Sequence, residues 1–297
     1  GGGEWANGDL CTFVGRDDAG QINAIAPFFL TTSRDNLKSI MLLGSIEISD
    51  YLDLIVSEEK ISDFVESIFS LLKADQSLNW KSIDLYNIPA SSPTLSALQK
   101  AAKRYDWSYS QETLQPCPYI ALPGDWDEYL ANIDKKQRHE IRRKIRRAES
   151  YDLPVSWYFV EDESSLDQEI EDFLILMAQD PEKEKFLTKA MRKQMYDAIH
   201  TAFQAGWLQL AFLEVDGQKA AGYLNFDYDG HIWVYNSGLS YDYRDLSPGW
   251  VLLGYLLKWA NENQRKSFDF LRGGEDYKYK FGAIDRFVVR ALIKPGK

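Results

Sequence analysis

Lys81-Ser82-Ile83-Asp84-Leu85 in the first third of the chain matches Lys266-Ser267-Phe268-Asp269-Phe270 near its end. Both run basic, hydroxyl, apolar, Asp, apolar, an alternation that reads as a strand with one buried face. Upstream of each lies a second match, Gly20-Gln21 and Gly217-Gln218, at the close of a polar turn. The first turn joins strand-like runs at 10–14 and 22–29, and the second joins runs at 207–215 and 219–228, so both read as hairpins. Between hairpin and matched strand, each half carries more strand-like sequence (39–43 and 51–56 in one, 231–239 in the other) and then a helix. Ile61, Phe64, Val65, Ile68 and Leu72 give 58–73 a helical period, and 248–263 is a strongly apolar helix. The shared order predicts two similar α/β units. Ser92-Pro93 predicts a helix start leading to about Lys103. Gln115-Pro116-Cys117-Pro118 marks the boundary, giving units 1–115 and 116–297. The second unit opens with helices near 125–132 and 134–150. A loop around Asp180-Pro181-Glu182-Lys183-Glu184 then separates helices at 164–178 and 186–204.

Composition narrows the classes. The chain has 297 residues and a net charge of −11, and is 45 % hydrophobic, enough for a real core and too apolar for disorder. No apolar run approaches the roughly 18 residues of a membrane span. Two cysteines, Cys11 and Cys117, make no disulfide framework, and three scattered histidines make no zinc centre, so no metal is expected. The acidic balance argues against a DNA-binding protein. Nine Trp, 17 Tyr and 15 Phe are an unusual aromatic load. The chain opens Gly1-Gly2-Gly3-Glu4-Trp5 with no charged and apolar leader, so a cytoplasmic location is expected.

Four stretches can carry chemistry. Ser247-Pro248-Gly249 opens the apolar helix directly after a strand and loop. Free N–H groups, partial positive charge and a glycine there suit a pyrophosphate, and the same residues also suit an ordinary capped helix. In Asp269–Gly282 a strand runs to Arg272, turns on Gly273-Gly274 and enters a short helix carrying Tyr277, Lys278, Tyr279 and Phe281. Strand C-termini are where open α/β sheets place their sites, so Tyr277 is a proton donor candidate and Lys278 a candidate for stabilising an anion. The helix 134–149 holds eight Lys/Arg and three acids, with Ile133, Ile141, Ile145 and Ala148 as its buried stripe. Its basic outer face, Arg142 and Arg143 included, suits an anionic partner or a solvated surface. Ser49-Asp50-Tyr51-Leu52-Asp53 places two carboxylates on opposite faces of a strand start, a strand-end surface with a binding role as the lesser alternative. Nucleophile, Walker and dinucleotide motifs are absent.

These residues resemble a known family. Leu122-Pro123-Gly124-Asp125-Trp126-Asp127-Glu128-Tyr129-Leu130, the basic run Lys136–Arg147, Val215-Asp216-Gly217-Gln218-Lys219, Leu246-Ser247-Pro248-Gly249 and Phe268–Lys278 are similar to the CelD-like acetyltransferases of the GNAT superfamily, relatives of the Fem peptidoglycan aminoacyltransferases. The likeness covers about 116–290, with Ala24-Ile25-Ala26-Pro27 and Ser49–Ile55 fitting the upstream part. Family members usually carry a further segment before the point where this chain begins. The resemblance implies tandem GNAT-like α/β folds with mixed, mostly antiparallel sheets flanked by helices.

The second unit would be an N-acyltransferase for acetyl-CoA or another acyl-CoA, acting on an amine of a small molecule or glycan, with a setting in exopolysaccharide synthesis. Ser247, Pro248 and Gly249 would hold the pyrophosphate, and backbone N–H groups near Tyr235, Asn236 and Ser237 the oxyanion. Tyr277 would be the general acid. Lys278 resembles the lysine that Fem enzymes place near their acceptor, and Asp269 would orient Tyr277 or Arg272. Arg272, Asp50, Tyr51, Arg142 and Arg143 are the substrate-side candidates. The first unit, whose helix start Ser57-Glu58-Glu59 lacks glycine, would be non-catalytic. The usual superfamily phosphate loop, with two spaced glycines, is absent. A Fem-like transferase using aminoacyl-tRNA and an inactive GNAT-like binding module are the alternatives.

Overall fold

A computed structural model describes residues 8–75 and 77–296. The chain start Gly1–Trp5, expected to carry no leader, lies outside them. The chain forms β1 (Asp9–Leu10), β2 (Phe13–Arg16), β3 (Ile22–Ala26), β4 (Phe28–Thr32), β5 (Lys38–Leu42), β6 (Ile55–Val56), α1 (Ile61–Ala74), β7 (Ser82–Pro89), α2 (Pro93–Arg104) and β8 (Ser108–Ala121). It continues with α3 (Trp126–Asn132), α4 (Lys135–Glu149), β9 (Val155–Phe159), α5 (Leu166–Ala178), α6 (Pro181–Phe186), α7 (Lys189–Gln204), β10 (Leu208–Val215), β11 (Gln218–Tyr228) and β12 (His231–Leu239). The last elements are α8 (Pro248–Glu262), β13 (Ser267–Asp269), α9 (Asp276–Lys280) and β14 (Ile284–Lys294). Two compact units result, each a mostly antiparallel mixed sheet flanked by helices. One holds the described residues up to Cys117 together with Arg286–Gly296, and the other holds Pro118–Asp285.

In the first unit β4 pairs antiparallel with β1 and β5, β5 parallel with β7, and β7 antiparallel with β14. The unit expected over 1–115 thus also takes in the final strand. Arg290 of β14 grips the fully buried Asp84 carboxylate with two hydrogen bonds, 2.7 and 2.8 Å, and stacks over Tyr86. Pro27 divides the run expected at 22–29. It has no N–H to continue a ladder, so β3 joins β2 and β6 while β4 enters the larger sheet. The strand expected at 51–56 shortens to β6, because Asp53 turns its carboxylate inward to the Ser92 and Thr94 hydroxyls and caps Leu54 N–H.

The second unit is a β9–β10–β11–β12 meander, with β13 parallel to β12 and antiparallel to residues 119–121 of β8. Ala211, Leu213, Ala221, Tyr223, Ile232 and Val234 share one core with α3, α4 and α8. On the opposite face Phe173 of α5 lies against Gly222 and Phe212. Helix α8 buries Val251, Leu252, Leu253, Leu256, Leu257 and Ala260 completely, at about 1.5–3 kcal/mol for each large side chain.

The two matched pentapeptides occupy equivalent places. In one unit Ser39 faces Ser82 and Ile40 faces Ile83 in parallel register, and in the other His231 faces Ser267 and Ile232 faces Phe268. The matched serines even bond their partners alike: Ser82 Oγ lies 2.7 Å from Ser39 Oγ, and Ser267 Oγ 2.7 Å from His231 Nδ1. Each is the second strand of a strand–helix–strand crossover, through α1 or α8. Around Asp180–Glu184 the expected loop is instead helix α6. Asp180 accepts the Glu182 and Lys183 N–H groups, and Pro181 stands at the first helical position.

Burial raises the phenol pKa of Tyr129, Tyr158, Tyr223 and Tyr277 above the ordinary value, and Tyr129 also donates to Phe281 O at 2.7 Å. Unfolded tyrosines ionise near pH 10, so the stability linked to these phenols is fully present below that pH and is lost as pH rises through it. Thermal melts should hold level from neutrality and fall above about pH 10, with phenolate absorbance appearing together with unfolding. Ordinary titration of every tyrosine in a still-folded chain would contradict this.

Candidate active site at the start of helix α8

β12 and β13 pair only over His231–Trp233 and Ser267–Asp269, and then part. The rest of β12, from Val234 to Leu239, stays on β11 and presents its other edge to the gap. Beyond β12, Ser240 caps a 3-10 turn over Tyr241–Leu246, and Ser247 adopts a left-handed conformation (φ 54°) that swings the chain into α8. A cavity of about 370 Å³ forms here. Ser237, Leu239 and Ser240 of the strand end wall one side, Ser247–Trp250 another, and Tyr223 and Tyr277 close it with aromatic surface.

Lys144 of α4 supplies a half-buried cation. Nζ donates to Ser247 Oγ at 2.7 Å and lies 5.0 Å above the Trp250 ring. Burial pulls the Lys144 pKa below its ordinary value, and Glu140, 3.7 Å away, opposes this. Arg244, stacked on Tyr241 at 4.1 Å, adds a second positive group to the wall. Backbone donors contribute less than the helix-start motif suggests. Pro248 has no N–H, and Trp250 and Val251 donate back to Ser247 O at 3.0 and 3.1 Å. A Cβ at Gly249 would meet only the tip of the exposed Leu239 side chain, which can turn aside.

Tyr277, on α9, is half-buried with its ring edge-on to Phe270, and burial, then the Glu275 carboxylate, push its phenol pKa up. The cavity thus brings together Ser237, Ser247, Pro248, Gly249 and Tyr277 from among the expected residues. The others lie elsewhere. Lys278 turns away into the preceding loop, where Nζ donates to the carbonyls of Phe270, Arg272 and Gly273 (3.2, 3.3 and 2.8 Å) and pairs with Glu275 (2.8 Å). Asp269, fully buried, accepts Leu271 N–H at 2.8 Å and ends the strand three residues short of Arg272, with Leu271 at φ 55°. Asn236 Oδ1 accepts the Ser237 N–H at 2.9 Å, and Tyr235 packs on Phe226. Arg142 pairs with Asp127 and Arg143 with Glu140 on the exposed face of α4. Asp50 and Tyr51 belong to the first unit, in the segment before β6.

Lys144, Arg244, Tyr223 and Trp250 are the residues the motifs did not single out. For Lys144 the signal was present: at helical spacing it borders the buried positions Ile141, Ile145 and Ala148, so it faces inward from an otherwise solvated run. Among the described residues no group of three His, Cys, Asp or Glu could hold a metal, and no helix is long and apolar enough to cross a membrane.

No curated protein matches the chain. Among solved structures it is similar to FemX, at 12 % identity and TM-score 0.61 over 97 % of this chain and 88 % of that one. A conserved protein of unknown function from Bacteroides thetaiotaomicron aligns at 11 % and 0.62 over 96 % and 86 %, and L-PGS from Bacillus licheniformis at 14 % and 0.57 over 94 % and 83 %. At such identities these show a shared fold. Residues 135–279, which contain every residue lining the cavity, match the family model of the acetyltransferase (GNAT) domain.

Proposed function

We propose that the second unit is an N-acyltransferase, of the CelD-like kind, that moves an acyl group from acyl-CoA, acetyl-CoA first, directly to an amine of a small molecule or glycan such as an exopolysaccharide precursor. The observation that carries this reading is the cavity between the parted strand and the α8 start, with cations at its helix end and a protonated phenol in its wall. Lys144, Arg244 and the positive helix end suit the phosphates of such a donor. The apolar walls suit its uncharged arm. Acyl transfer then needs an oxyanion donor and an acid for the leaving thiolate. Residues 235–237 of β12 are the proposed donor stretch, with the acyl oxygen displacing Asn236 Oδ1 from Ser237 N–H. Tyr277 is the proposed acid. The corresponding helix start of the first unit is read as non-catalytic, because carboxylates occupy it: Glu58 and Glu59 fill the first turn and a backbone N–H holds Glu59.

Calorimetry with acetyl-CoA tests this. Heat of binding is expected, and Lys144→Ala should weaken it about tenfold or more, the value of one charge-assisted contact. Absence of heat with every acyl-CoA tried would end the reading. One observation favours a second donor class: the basic face of α4, with Arg142, Arg143 and Arg146 exposed, continues from the Lys144 position. A Fem-like donor, aminoacyl-tRNA, would use that face, and retardation of aminoacyl-tRNA by a chain silent to acyl-CoA would favour it.

A further inference from the structure

The cavity approaches β12 from the α8 face, whereas α5 lies against the other face and carries α6 at its end. Gly238 makes the α5 contact close. A Cβ there would stand 2.6 Å from Met177 N, so the last turn of α5 presses directly on the strand. Asp180 follows at once and caps α6, fixing the base of Lys183. The Lys183 side chain then crosses to the parted edge of β12, where Nζ lies 2.5 Å from Ser237 O and 3.3 Å from Ser237 Oγ. Ser237 is itself a cavity wall residue. An amine is therefore held at the parted edge of β12, against a wall residue of the proposed donor cavity, where β13 no longer pairs.

We propose that Lys183 is an intramolecular acyl acceptor: in the absence of an external amine, it takes the acyl group from an acyl thioester bound in the cavity. The inference rests on the acyl-CoA reading above. The Nζ lone pair attacks the thioester carbonyl carbon, the C–S bond breaks with its electron pair leaving on sulfur, and the proton lost from nitrogen ends on that sulfur. The products are an Nε-acyl-lysine and free thiol. Attack needs a neutral amine, and burial lowers the Lys183 pKa. The charged groups facing it are Asp180 and Glu275, which favour the ammonium, and Lys278, which opposes it. An acyl-lysine here no longer carries the charge that holds Ser237 O, so the step would also alter the cavity wall at that residue.

The full chain incubated with acetyl-CoA and no other amine should gain one acetyl group by intact mass, mapped by peptide sequencing to Lys183. The rate should rise with pH and level off at a lower pH than acetylation of exposed lysines. Lys183→Arg, which keeps the charge and a donor to Ser237 O, should lose this acetylation while still binding acetyl-CoA. Acetyl-CoA heat without acetyl on Lys183, or acetylation of exposed lysines as fast as Lys183, would overturn the inference and leave the donor reading standing. No acetyl-CoA heat would overturn both.

Discussion

Lys278→Met should lower unfolding stability by about 1–3 kcal/mol or more, the cost of leaving a buried carbonyl without its donor. The Lys278 side chain is 4 % exposed, and its ammonium bridges three carbonyls of the turn at 270–273 while pairing with Glu275. Methionine fills much of the same space and offers no donor, so Phe270 O, Arg272 O and Gly273 O lose their common partner, at about 1–3 kcal/mol for each one left buried and unsatisfied. Glu275→Gln is the contrasting variant. That carboxylate is 59 % exposed, and its loss should cost less than about 1 kcal/mol. Urea titrations of both variants would measure the difference as a shift in midpoint at unchanged slope. A Lys278→Met midpoint equal to that of the parent chain would show that the turn does not depend on this ammonium. Any activity lost in Lys278→Met should follow the fraction unfolded, in contrast to a residue that touches the reacting atoms.

The two-unit plan was legible because it is written locally. Lys81–Leu85 and Lys266–Phe270 carry their own alternation, and the helices before them carry their own period. The elements that escaped are those whose strand character comes from distant partners. β8, from Ser108 to Ala121, is exposed over much of its length and contains Pro116 and Pro118; its strand identity rests on pairing with β14 and, over its last residues, β13, both about 150 residues or more on. The proline-rich stretch that reads as a boundary is therefore inside a strand that carries the chain from one unit into the other. β14 hides for a related reason: Arg290 breaks its apolar run, and the reason for an arginine there is Asp84, 206 residues earlier. At the site, Ser247, Gly249 and Tyr277 could be found as a helix start and a strand-end turn. Lys144 borders the buried stripe of α4 at helical spacing, whereas Lys183 could not be separated by type from the charged run around it, since only tertiary packing turns it inward. In sequence Lys278 reads as a candidate for stabilising an anion, because its actual partners include backbone carbonyls, which carry no residue signature.

Tyr277→Phe should lower kcat about 100-fold while changing the acetyl-CoA dissociation constant by less than about threefold, since general-acid groups contribute about 10²–10⁴ in rate. The substitution removes one oxygen and keeps the ring against Phe270 and the cavity wall, so the packing that shapes the donor pocket persists. Burial and Glu275 raise the phenol's pKa, so its proton is present throughout the neutral range; the same shift makes it a weaker acid than an ordinary thiol, so it acts as a hydrogen-bond donor to the departing sulfur whose full proton transfer runs uphill. The parent enzyme should therefore show no loss of the acid form until pH exceeds about 10. A loss of the acid form near neutrality would require a depressed phenol, opposite to what its surroundings impose. An unchanged kcat in Tyr277→Phe, with binding intact, would mean that the thiolate takes its proton from solvent and that Tyr277 serves only as wall. Equal losses in kcat and affinity would instead mark it as a contact made before the chemical step.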